Sequence, residues 1–236
     1  QTTVYFPALV AIVSFVASNY TVALFPKLAF GNFGVWIICL VYLVAIYLMN
    51  VYSNHLSELF QTSAMFIKLI PLVLIAICGL FFGDVHTIST HAITLPVVMS
   101  STGAIVAVAF SYDGWAVAPS IGHEIKNSKR NLPLALIISP LIISTVYIGY
   151  FVGISLLLGP SDIMKMGDLA VYAAAEKLFG YIGQRLMLIT VIISVLGTLN
   201  GLVVANIRVP YFLALRQELP YSQKISQVNA RFKLSI

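Results

Sequence analysis

Charge is what this chain has least of. Only 9% of its 236 residues are Asp, Glu, Lys or Arg, while 60% are hydrophobic and the mean hydropathy is +0.98. A soluble domain carries roughly 25% charged residues, and this much apolar surface is too large to hide in one aqueous core. The chain therefore reads as an integral, multi-pass membrane protein. Cysteine is scarce too: Cys39 and Cys78 lie inside apolar runs, with no metal or redox spacing and no sign of a disulfide. The four histidines, His55, His86, His91 and His123, fall at span ends or in loops. His123-Glu124 is followed by Ile125, Lys126 and Asn127, so the zinc-protease pattern fails at its second His. Gly-Ser-Gly nucleophile spacing is missing, and Asp113 has no carboxylate partner within a span. No catalytic residue, cofactor or metal site is expected. The net charge of +5 is modest and gives no reason to expect a nucleic-acid partner. Neither an initiator Met nor a basic region precedes the first apolar stretch. No cleavable signal peptide is expected, and the chain is expected to begin inside a longer protein.

What is present is a series of long apolar runs, and residues 1–236 are read as a single all-α transmembrane domain. Six spans are predicted, approximately over 4–25, 34–52, 60–82, 99–121, 133–158 and 183–207, each near the ~20 residues that cross a bilayer. Phe25-Pro26-Lys27, Asn54-His55, Gly83-Asp84, Asn127 to Pro133 and Gly159-Pro160 punctuate them. One side of the membrane collects Lys27, Lys165, Lys177 and Arg185. The other collects Lys126, Lys129, Arg130, Arg208, Arg216, Lys224, Arg231 and Lys233, which favours it as cytoplasmic and puts the N-terminal end inside. Segment 161–180 is predicted as an extracellular surface helix, capped by Asp168 and ended by Gly180, with a plain loop as the alternative. The tail 208–236 is expected in the cytoplasm.

Three places carry polar groups at bilayer depth. The first is Phe110-Ser111-Tyr112-Asp113-Gly114-Trp115, inside an otherwise apolar span. A carboxylate there costs roughly 2.5–3.5 kcal/mol. Gly114 loosens the backbone, and Pro119 cannot donate to the carbonyl of Trp115. A helix broken within 110–115 is predicted, because an interrupted backbone is tolerated in lipid where it is packed in protein or lines a cavity. Broken helices of this kind hold polar substrates in many secondary transporters. The alternative is a kinked helix with Asp113 turned toward a neighbour. The second is Lys68, three residues before Pro71, which leaves the carbonyl of Ile67 without its helical donor. Its ammonium would act as a fixed cation in place of a bound metal ion or as a protonatable switch; snorkelling to the headgroups is the alternative. The third is the last span, with Ser194, Thr198, Asn200 and Asn206 among Gly197 and Gly201, a composition that usually mediates helix packing.

Phe110 to Trp115, followed by Glu124-Ile125-Lys126-Asn127-Ser128-Lys129-Arg130-Asn131-Leu132-Pro133, resembles the L-amino-acid transporter family of the amino acid–polyamine–organocation superfamily. His123 and Ser128 stand where the family signature has Glu and Pro. Gly197-Thr198-Leu199-Asn200-Gly201, Arg208-Val209-Pro210 and Glu218-Leu219-Pro220 resemble the family's helix 8 and its exit, and Lys68 falls where many members carry a helix 5 lysine. The resemblance covers essentially the whole chain. It implies part of a LeuT-type inverted-repeat bundle, with the six spans matching helices 3 to 8. It also implies amino-acid transport by alternating access, through exchange or proton coupling, in a bacterial plasma membrane. By the same resemblance the substrate ammonium meets backbone groups at Phe110, Ser111 and Asp113, with Phe110 as a gate. Ala8 lines the pocket, and Lys68 links helix 5 to helices 1 and 8, with Thr198 and Asn200 as helix 8 neighbours. The Tyr112-Asp113-Gly114-Trp115 version resembles bacterial serine/threonine exchangers. Phe25-Pro26-Lys27-Leu28 lacks the cysteine that animal members bond to a heavy subunit, so no such disulfide-linked partner is expected. The expected partners are an amino-acid substrate and membrane lipid. A channel or non-transporting scaffold is the second reading and an intramembrane enzyme the third.

Overall fold

The computed structural model describes residues 4–29, 31–89, 103–106, 108–109, 111–112, 125–217, 221–225, 228–229 and 234–235. Helix α1, Tyr5–Leu24, starts with Pro7 in its first turn, where the missing N–H has no helical acceptor to lose. It stops at Phe25, whose backbone (φ −125, ψ 77) is pushed out of the helical region by Pro26. Two 3-10 turns, Pro26–Ala29 and Gly31–Phe33, lead into α2, Gly34–Tyr52. Ser53 alone separates α2 from α3, Asn54–Phe82. Its backbone is extended (φ −152, ψ 98), and its hydroxyl accepts the Leu56 N–H at 3.2 Å. A serine cap thus starts α3 earlier than the predicted 60, because the polar Asn54-His55 sits in the helix's first turn. α3 continues through Pro71.

A short helix, α4 (His86–Ser89), follows after Asp84, whose carboxylate accepts the His86 N–H at 2.9 Å. Residues 103–106, 108–109 and 111 are helical, and the Tyr112 N–H reaches the Val108 carbonyl at 3.3 Å. The rest of the predicted span 99–121, with Phe110, Asp113 and the predicted break, lies outside the described residues. α5, Ser128–Leu158, opens after Asn127 in the left-handed conformation (φ 54, ψ 45), which Asn tolerates better than most side chains. The Asn127 carbonyl takes N–H bonds from Arg130 and Asn131 at 2.9 and 3.0 Å, so the helix begins ahead of the predicted 133 and encloses Pro133. Gly159 (φ 83, ψ 148) ends it. The segment read as one surface helix over 161–180 is divided. α6, Pro160–Met166, closes at Gly167 (φ 54, ψ −126), a 3-10 turn covers Gly167–Leu169, and α7 is Ala170–Leu215 with a non-helical Gly180 (φ 68, ψ −164). In the tail, α8 is Ser222–Ile225, and Val228–Asn229 pairs antiparallel with Leu234–Ser235.

Five of these helices are long and apolar enough to cross a membrane: Pro7–Leu24, Gly34–Tyr52, His55–Phe82, Ser128–Leu158 and Ala170–Ile207. Large apolar side chains such as Leu40, Phe66, Leu141 and Ile148 stand exposed along them. Such an exterior suits hydrocarbon rather than water. The protein is an integral membrane protein built from helices.

The chain forms two compact units. One comprises 1–70 with 185–236, the other 71–184. In the first, Ile46, Leu199 and Val203 form a core that Val10, Val13, Tyr42 and Leu43 pack against. Ser14, Ala17, Ser18 and Thr21 give α1 a buried face of small side chains. Ser14 Oγ donates to the Cys39 carbonyl at 3.0 Å and Thr21 Oγ1 lies 2.7 Å from Tyr42 Oη, tying α1 to α2. Lipid tails are as apolar as leucine, so close approach and interhelical hydrogen bonds hold such helices together. In the second unit, α3 and α5 touch at Gly79 and Gly153. A Cβ on Gly153 would sit 2.6 Å from the Ile75 carbonyl oxygen and 2.8 Å from Ala76 Cα. The last turn of α5 is buried over Gly153–Leu157, and Lys177 Nζ donates to the Leu157 carbonyl at 2.5 Å, a cation on an unpaired C-terminal carbonyl.

Candidate functional site

In the first unit, Ser57, Gln61, Ala64 and Lys68 recur along α3 at helical spacing and form one narrow stripe. This stripe faces α7. Ala64 is buried against Gly197, where an added Cβ would come within 2.5 Å of Ala64 Cβ. Gln61 lies over Gly201, its Nε2 3.2 Å from where a Cβ would be. Lys68 is one turn further along the same stripe and half-buried. It makes no hydrogen bond or ion pair with a described residue.

Asn200 is fully buried and joins three helices. Its Oδ1 accepts from Asn50 Nδ2 at 2.8 Å, and its Nδ2 lies 3.2 Å from both the Ser57 carbonyl and Gln61 Oε1. Ser57 Oγ is 2.7 Å from Asn50 Oδ1 and 3.1 Å from Asn200 Oδ1, and the other Asn50 donor goes to the Ile46 carbonyl at 2.9 Å. No buried side-chain polar atom among the described residues is left without a partner. The network is thus closed, which rigidifies rather than strains the unit. Asn50, Ser57 and Gln61 were not among the residues expected at the site. Asn50 carried a usable signal, an amide within the apolar run Ile46 to Tyr52, since an amide in lipid needs a partner on another helix.

The other expected residues fall elsewhere. Thr198 is exposed, and its hydroxyl donates to the Ser194 carbonyl on its own helix at 3.1 Å. Ala8 is exposed near the start of α1. Ser111, in the second unit, is exposed and donates through Oγ to the Val108 carbonyl at 2.8 Å. Its own carbonyl accepts from Tyr147 Oη on α5 at 3.2 Å. Beside it, Tyr112 Oη lies 2.8 Å from Ser144 Oγ, and the Tyr112 and Tyr147 rings meet edge to face with centroids 5.7 Å apart. Phe110 and Asp113 lie outside the described residues.

The helices are apolar on the outside and pack through glycines and amides, as in an integral membrane protein. The chain belongs to the amino acid permease family, whose description matches residues 1–236, within the superfamily that the motifs around 110–133 and 197–201 resemble. That family comprises transporters rather than enzymes. Among its relatives is the serine/threonine exchanger SteT of Bacillus subtilis, 35% identical over 186 residues, which align 78% of this chain with 42% of the exchanger. The human Asc-type amino acid transporter 1 is 26% identical over 227 residues, 91% of this chain and 42% of the transporter. The mouse large neutral amino acids transporter small subunit 2 is 25% identical over 229 residues, again 42% of its own length. The chain therefore spans about two fifths of the length of these relatives.

Proposed function

We propose that the protein carries amino acids across a bacterial plasma membrane by alternating access, as an exchanger or a proton-coupled permease. The observation that supports this best is the family match over residues 1–236, with its similarity to a serine/threonine exchanger. In this reading the substrate ammonium meets backbone carbonyls at Phe110, Ser111 and Asp113, Phe110 covers it, and Ala8 is the substrate-binding residue of α1. Lys68 serves as the fixed cation, with Asn200 bracing its helix and Thr198 beside it on α7. The absence of a cysteine after Phe25-Pro26 supports a permease without a disulfide-linked heavy subunit. The loop charges support a cytoplasmic tail at 208–236 and an extracellular 161–180.

The test is uptake into proteoliposomes by the protein expressed from its complete gene. Radiolabelled amino acids are supplied outside, with or without unlabelled amino acid inside. Saturable uptake stimulated by the trans amino acid is expected. The same low, unsaturable flux for every amino acid would leave a scaffold or channel as the better reading.

A further inference from the structure

The Ser111 carbonyl is a group that the proposed function assigns to the substrate ammonium, and it already has a donor. Tyr147 Oη reaches it from α5 at 3.2 Å. The phenol is held there by the edge-to-face contact of its ring with Tyr112, at 5.7 Å and 76°. Tyr112 is in turn fixed by its hydroxyl at 2.8 Å from Ser144 Oγ. Ser111 itself is exposed among the described residues. A carbonyl at bilayer depth without a partner costs free energy, which gives the empty protein a reason to keep a neutral hydroxyl on it. An ammonium is the stronger donor, because its hydrogen bond is charge-assisted.

We propose that the Tyr147 hydroxyl is a placeholder for the substrate ammonium: it satisfies the Ser111 carbonyl in the empty state and yields it when an amino acid binds. This rests on the permease reading above. The sign of the effect follows from linkage. A bond present only in the empty state opposes binding, so removing it tightens binding by the factor that the bond was worth. A net hydrogen bond of this type corresponds to a factor of about two to ten. Tyr147 is a positioning residue here, since it acts through the carbonyl rather than on the substrate.

The experiment uses the protein from its complete gene, purified and reconstituted, as wild type, Tyr147→Phe and Thr145→Ala, whose hydroxyl, among the described residues, bonds only the Leu141 carbonyl of its own helix. L-serine is the probe, with 3-hydroxypropanoate, which carries only hydrogen where serine has its ammonium, as a competitor. Half-saturation and maximal rate are measured separately, and binding is also titrated on the folded protein in detergent, so that a lower yield of Tyr147→Phe does not mask its affinity. The expected result is a half-saturation for L-serine lowered about two- to tenfold in Tyr147→Phe, inhibition by 3-hydroxypropanoate unchanged, and Thr145→Ala like wild type. An unchanged or raised half-saturation in Tyr147→Phe overturns the placeholder and leaves the permease reading intact. So does an equal tightening for 3-hydroxypropanoate or in Thr145→Ala, which would mark general loosening. Wild-type protein that neither binds nor moves any amino acid overturns both.

Discussion

Replacing Asn200 by Ala tests whether the buried amide network holds the first unit together. Asn200 contributes one acceptor and two donated contacts, but its partners do not suffer equally when it goes. Gln61 is exposed, so its freed Oε1 adds little. Ser57 keeps Asn50 Oδ1 at 2.7 Å. Asn50 loses most: one of its N–H donors stays on the Ile46 carbonyl and the other is stranded in a site only 5% exposed. A stranded buried donor costs about 1–3 kcal/mol, and interhelical hydrogen bonds in membranes average about 0.6 kcal/mol with a maximum near 1.7. We therefore expect Asn200→Ala to lower stability by roughly 1.5 kcal/mol, where the two ranges overlap. Asn50→Ala is milder, about 1 kcal/mol, because the Ser57 hydroxyl, 3.1 Å from Asn200 Oδ1, turns to that oxygen. The double variant should be no worse than Asn200→Ala alone, since each change removes the other's partner. Unfolding of the protein from its complete gene, titrated with dodecyl sulfate in mixed micelles and followed by tryptophan fluorescence, measures all three. Equal single effects that add in the double variant would show that the amides act independently and that the network is not cooperative.

Two further changes probe the other features. Lys68→Ala is expected to lower initial uptake by on the order of tenfold, a loss of ~1.4 kcal/mol, while the protein still elutes as a single folded species; uptake within twofold of wild type would remove Lys68 from the mechanism. Gly153→Val puts a side chain where the Ile75 carbonyl and Ala76 Cα already stand at 2.6 and 2.8 Å, both of them backbone atoms that cannot swing aside. A loss of about 1–3 kcal/mol, the usual cost of overpacking, is expected in the same unfolding assay, and a neutral result would mean that α3 and α5 are not in close contact.

The class of this protein was legible along the chain, because a membrane span is a one-dimensional property. Length, apolarity and the scarcity of charge decide it locally, and the family motifs at 110–133 and 197–201 are likewise contiguous. Helix ends were less legible. Ser53 and Asn127 each start a helix through a single hydrogen-bonded backbone geometry, and both starts come earlier than polarity alone predicts. What no local pattern could decide is which polar side chains meet. Asn200 read as a packing residue or a neighbour of Lys68, yet it meets Asn50 and Ser57, 150 and 143 residues away, because an amide in an apolar helix is satisfied by whichever helix tertiary packing brings alongside. Tyr147 had no sequence signal, since a tyrosine in a span is commonplace. Its meaning comes from the carbonyl that α5 brings it to, and that placement exists only in the folded chain.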